Sequence, residues 1–121
     1  MVERAAAFLK AHGRDQALAE FSNPKGQFVD RDLYVIAYRA RDGVRLSHPY
    51  NAHLIGKSVA DARDIEGKPY GQAILAVARD HGRGWVDYKF TDPLTKRLSD
   101  KRLYVTRIED LILGCGYYAR P

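Results

Sequence analysis

A single cysteine, Cys115, excludes an internal disulfide framework and any zinc cage built from cysteines. No stretch approaches the roughly 18 consecutive apolar residues of a membrane-spanning helix. The opening run Met1-Val2-Glu3-Arg4-Ala5-Ala6-Ala7-Phe8 is too short and too charged for a secretory apolar region, so the chain as written reads as soluble. Internal repeats, low-complexity tracts and linkers are missing. So are the signatures of the nucleophile elbow, the P-loop, the dinucleotide fold and the zinc proteases, which leaves an enzyme reading with no motif behind it.

What remains is 121 residues, 45% hydrophobic and 29% charged, enough for one domain spanning 1–121 with a modest core and no second catalytic unit. Lys and Arg outnumber Asp and Glu by 20 to 15, a net charge of +5 that favours anionic partners. The basic residues are scattered, with Arg31, Arg39 and Arg45 interleaved among Asp30, Asp32 and Asp42. That is the pattern of a solvated mixed surface, not of a nucleic-acid stripe.

Apolar spacing predicts a helix over about residues 2–12, stopped at Gly13, and a second helical segment capped by Asp15 and ended by Asn23-Pro24-Lys25-Gly26. Leu33-Tyr34-Val35-Ile36-Ala37-Tyr38 is apolar at almost every position, so this strand is expected to be covered on both faces. Arg41-Asp42-Gly43 turns it into a return strand over 44–48. Residues 49–67 read as a structured loop with a helical turn at Ser58-Val59-Ala60-Asp61, a helix follows over about 69–80, and strands are expected at 85–91, 98–108 and 111–118. The order α, β, β, α, β, β, β predicts an α+β fold: a five-stranded antiparallel sheet with the first helix on one face and a loop and helix covering the other.

A cover rich in proline and glycine packs less densely than a helix, so a concavity is expected between it and the sheet. Strand alternation puts Tyr34 and Tyr38 on one face of the first strand, opposes Val86, Tyr88 and Phe90 to Trp85, and opposes Arg102 and Tyr104 to Lys101. The tyrosines read either as hydroxyl donors to a small polar ligand or as ordinary sheet residues. His48 and His53 are five apart, which is not the helical metal spacing. His48, before Pro49, reads as a pocket-edge group or loop anchor, and neither metal nor cofactor is expected. Cys115, between Gly114 and Gly116, reads as core.

The runs Phe28-Val29-Asp30-Arg31-Asp32-Leu33-Tyr34-Val35, His48-Pro49-Tyr50-Asn51, Gly84-Trp85-Val86-Asp87-Tyr88-Lys89-Phe90, Tyr104-Val105 and Gly114-Cys115-Gly116-Tyr117 resemble, in order and spacing, the single Cache domain over about residues 3–119. The resemblance implies a PAS-like sheet and an extracytoplasmic or periplasmic module of bacterial sensing that binds short carboxylates without catalysis. It places the pocket aromatic at Tyr88, with Trp85 opening that strand, the basic residue at Lys101 and the strand-end pair at His48 and Pro49. Tyr38 and Tyr104 join them as candidate donors; Lys101 and Tyr104 share a ligand only if the strand bulges near Leu103. Departures from receptor members fall at Leu103 and Cys115, and a chain ending at Arg120-Pro121 reads as a free-standing protein. The alternative to a small-anion sensor is a structural module that forms a homodimer through its first helix around a vestigial pocket, with no membrane contact of its own.

Overall fold

The computed structural model describes residues 1–119; Arg120 and Pro121, on which the free-standing expectation rests, lie outside the described residues. Helix α1 (Val2–His12) ends at Gly13, whose φ of 87° suits a residue without a side chain, and α2 (Arg14–Phe21) starts from that same glycine. Asp15 is therefore not the cap. It sits in the first turn of α2, where its charge faces the positive end of the helix.

The strands are β1 (Val29–Asp30), β2 (Leu33–Arg39), β3 (Arg45–Ser47), β4 (Arg83–Thr91), β5 (Leu98–Ile108) and β6 (Leu111–Tyr118), with α3 (Tyr70–His81) between β3 and β4. They form one antiparallel sheet in the order β1-β2-β6-β5-β4, with β3 also paired to β2. Five of the six strands are those expected. The sixth, β1, has only two residues, turned back onto the start of β2 at Arg31 and Asp32, and two residues carry no readable periodicity.

Strand β2 is buried on both faces, as its unbroken apolar run requires. Val35 and Ala37 join Val2, Ala5, Ala17, Phe21, Phe28 and Leu113 beneath α1 and α2. Tyr34, Ile36 and Tyr38 join Val59, Tyr70, Ile74, Ala78, Val86, Tyr88, Leu103 and Val105 on the α3 side. The second cover thus comes from the middle of the chain, α3 and the loop before it.

That loop differs from expectation in one detail. Ser58-Val59-Ala60-Asp61 makes a single turn, with Val59 O accepting Ala62 N–H and Ser58 Oγ accepting Ala60 N–H, and it goes no further into a helix, as Ser58 Oγ also donates to Asp42 O at 2.5 Å and Val59 N–H donates to Gly43 O. Ser58 thus caps the turn locally and ties it to the β2–β3 turn. The helical turn lies earlier, a 3₁₀ turn at Ala52–Leu54. Val59 then seats on Gly71 of α3: a Cβ added at Gly71 would stand 1.6 Å from Val59 O. Gly71→Ala is expected to lower stability by about 1–3 kcal/mol in urea unfolding, because backbone must move to admit one methyl group. An unchanged midpoint would show that the loop does not press on the helix as described.

Candidate functional site

Alternation along β5 puts Lys101, Leu103 and Val105 on the α3 face, and the register sets Lys101 directly opposite Tyr88 of β4. Lys101 is only 2% exposed. Its Nζ lies 4.8 Å from the ring centre of Tyr34, 4.9 Å from Phe90, 5.3 Å from Tyr118 and 5.5 Å from Tyr88, and it donates to Tyr34 Oη at 3.2 Å. Tyr34 and Tyr118 share a hydroxyl–hydroxyl bond of 2.6 Å. No carboxylate forms an ion pair with Lys101 among the described residues. Burial pushes its ammonium down to about 7, and Arg45 adds a smaller repulsion.

Aromatic faces return about 0.5–2 kcal/mol each to a buried cation, whereas removing an ammonium from water without a counter-ion costs several. The lowered proton affinity shows that desolvation wins. The site holds a positive charge that the protein itself leaves uncompensated.

His48, also 2% exposed, packs its ring against Tyr34 with the centroids 5.0 Å apart. Its Nδ1 accepts from Tyr50 N–H and Asn51 N–H, which anchors the loop after β3 and leaves the proton on Nε2. Desolvation first, then the charges of Lys101 and Arg45, push the imidazole down to about 3, so it is neutral at physiological pH. The buried Nε2–H has no acceptor among the described residues.

A cleft of about 480 Å³ lies along the β4 edge; Lys101 and Tyr88 border it, while Asp87, Lys89, Asp100, Arg102 and Tyr117 alternate onto the face opposite the Lys101 ammonium. The loop residues Asp64, Glu66 and Lys68 form one wall, fastened to β4 where Asp64 accepts Lys89 N–H and Lys68 Nζ donates to Asp87 O. The charges on its rim are already satisfied: Lys89 pairs with Asp100 and Arg102 with Asp87. Three backbone N–H groups on Asp64 outweigh its partial desolvation and hold its carboxyl below the usual range. Two cations bordering the cleft have no ion pair among the described residues: Lys68, whose Nζ is held by Asp87 O, and Lys101, whose Nζ is held by Tyr34 Oη.

The structure brings together Tyr38, Tyr88, Lys101 and His48 on the α3 face, with the buried Pro49 in the turn after β3. Trp85 and Tyr104 are not among them. Pairing of β5 with both neighbours runs without a bulge from Lys101 to Thr106, so Tyr104 faces α1, and Trp85, 47% exposed, packs on Tyr104 and Tyr117 of that same opposite face. Tyr34, Phe90, Tyr118 and Arg45 are the residues that sequence reasoning left out of the site. For Tyr34 and Phe90 the signal was their alternation with Tyr38 and Tyr88. Cys115 is half-buried, with Sγ 3.9 Å from Met1 Sδ, and burial pushes its thiol up, away from a reactive thiolate. No cluster of His, Cys, Asp and Glu fit for a metal exists among the described residues, and no helix among them is long and apolar enough to cross a membrane.

Solved structures with this architecture include the periplasmic sensor domain of a chemotaxis protein, with a TM-score of 0.79 at 24% identity over 98% of this chain and 85% of that one. A methyl-accepting chemotaxis protein from Vibrio parahaemolyticus superposes with a TM-score of 0.83 at 18% identity, covering 97% of this chain and 82% of the other. A Cache chemosensory domain solved for its carboxylic acid recognition gives a TM-score of 0.78 at 24% identity, covering 98% and 84%. At such identities the likeness is one of fold. No curated protein matches the chain. The family assignment comes from the sequence itself: the model of Single Cache domain 2 matches residues 12–120, and the chain belongs to that family of sensor domains.

Proposed function

We propose that the chain is the ligand-binding part of an extracytoplasmic sensor, and that it holds a short-chain carboxylate on the Lys101 ammonium without transforming it. The observation that carries this reading is the buried cation in an aromatic box with no acid beside it. A carboxylate admitted to that box would supply the missing charge, and Tyr88 and Tyr38 stand on the same face, where their hydroxyls can donate to it. Periplasmic sensing by one fold neighbour and carboxylic acid recognition by another support the compartment and the ligand class.

Thermal unfolding against acetate, propionate, pyruvate and lactate tests it. At about one hundred times Kd the right ligand is expected to raise the melting temperature by roughly 10 °C. Lys101→Met is expected to abolish the rise. A flat response to every acid, together with a concentration-dependent dimer, would favour the dimerising module with a vestigial pocket.

A further inference from the structure

We infer that Arg45 is a second cationic contact for the bound anion, and that the ligand is a small dicarboxylate in preference to a monocarboxylate. This rests on the reading of Lys101 as the anion's partner and extends it to the other end of the ligand.

Arg45 opens β3 directly opposite Tyr38, and cross-strand partners stand on the same face of a sheet. Its side chain therefore lies on the α3 side, where Tyr38, Tyr88, His48 and Lys101 all feel its charge. The residue is 7% exposed, and the one hydrogen bond of its side chain among the described residues is a 3.5 Å contact from Nη1 to Lys57 O. The nearby acid of the hairpin, Asp42, is occupied by Arg39 at 2.8 Å. Asp92, a buried acid, sits at the β4–β5 turn, where it accepts Leu94 N–H.

Two buried cations thus share one face of the sheet with no carboxylate paired to either among the described residues. A guanidinium presents a flat fork that matches a carboxylate, and an ammonium presents a point charge, so the pair offers one contact to each end of a dianion. The buried Nε2–H of His48, with no acceptor among the described residues, is an independent sign that an acceptor is missing from this space.

Calorimetric titration of the wild-type chain with butyrate and succinate, and with propionate and malonate, at pH 6.5 and constant ionic strength compares ligands that differ by one carboxylate. Succinate or malonate is expected to bind at least about tenfold more tightly than its monocarboxylate counterpart, the effect of one added charge-assisted pair. Arg45→Met should erase that preference while monocarboxylate binding survives, and Arg45→Lys should restore part of it. Equal or tighter binding of the monocarboxylates, or a preference that persists in Arg45→Met, overturns the role of Arg45 and leaves Lys101 untouched. Failure of every carboxylate to bind the wild type overturns the Lys101 reading and this inference together.

Discussion

Lys101→Met is expected to raise the melting temperature of the ligand-free protein by roughly 5–15 °C while eliminating carboxylate binding. Most changes at a buried site destabilise, so the sign is diagnostic. The ammonium is held out of water by Tyr34, Phe90, Tyr118 and Tyr88, and its hydrogen bond to Tyr34 Oη does not offset the lost hydration. Methionine keeps the length and flexibility of the chain, fits an aromatic box, and removes the charge, a replacement worth about 1–4 kcal/mol where a buried ion lacks a full set of partners. The same imbalance gives the ligand-free protein a pH dependence. Lys101 titrates near 7 when folded and near its ordinary 10.5 when unfolded, so between those values the unfolded chain holds the extra proton. Stability from this group therefore rises with pH through that window and is lowest below 7. Differential scanning calorimetry of the variant and the wild type at pH 6 and pH 9 checks both signs. A lower melting temperature for Lys101→Met at both pH values would mean that the ammonium contributes to the fold instead of burdening it.

Carboxylate affinity should fall by up to about tenfold per pH unit above pH 7 and level off below it. In the free protein the lysine is protonated only below about 7, whereas a bound carboxylate favours the charged form. Binding at pH 8.5 must then take up part of one proton, approaching a whole one as the midpoint of the bound form rises well above 8.5, and binding at pH 6 almost none. The other groups facing the site do not titrate in this interval. Burial pushes the hydroxyls of Tyr34, Tyr38, Tyr88 and Tyr118 upward, and His48 stays neutral because burial lowers it to about 3. At the rim Asp64 is ionised throughout. Calorimetry in two buffers of different ionisation enthalpy counts the protons directly. Affinity that is flat from pH 6 to 9 with no proton uptake contradicts the assignment, and Lys101→Arg, permanently charged, should bind without the slope if it binds at all.

The parts of this arrangement that were legible in the sequence are those governed by alternation. An unbroken apolar run at Leu33 to Tyr38 demanded two covers, and the structure supplies them as α1 with α2 on one side and α3 with its loop on the other. The same period of two placed Lys101 among Leu103 and Val105, a cation on an apolar face, and separated it from Tyr104. What stayed hidden depended on pairing. The register shift between Ala37 and Tyr38 sets Arg45 against Tyr38 and Ser47 against Ala37, an irregularity that no pattern in a three-residue strand reveals. The aromatic box joins β2, β4, β5 and β6, and the hydroxyl contact of Tyr34 with Tyr118 spans 84 positions, a distance at which sequence spacing is silent. At Ser58 a tertiary bond to Asp42 O, which the local pattern does not reveal, fastens the short turn that follows it to the β2–β3 hairpin.

Nitrogen NMR of the Lys101 side chain, followed against pH with and without a saturating short-chain carboxylate, bears most directly on the claim that a buried, unpartnered ammonium is the anion site. A midpoint near 7 in the free protein that climbs by about one to three pH units when the acid is present is the expected result. A midpoint near 10.5 that ignores the acid would place the amine in water and contradict the account.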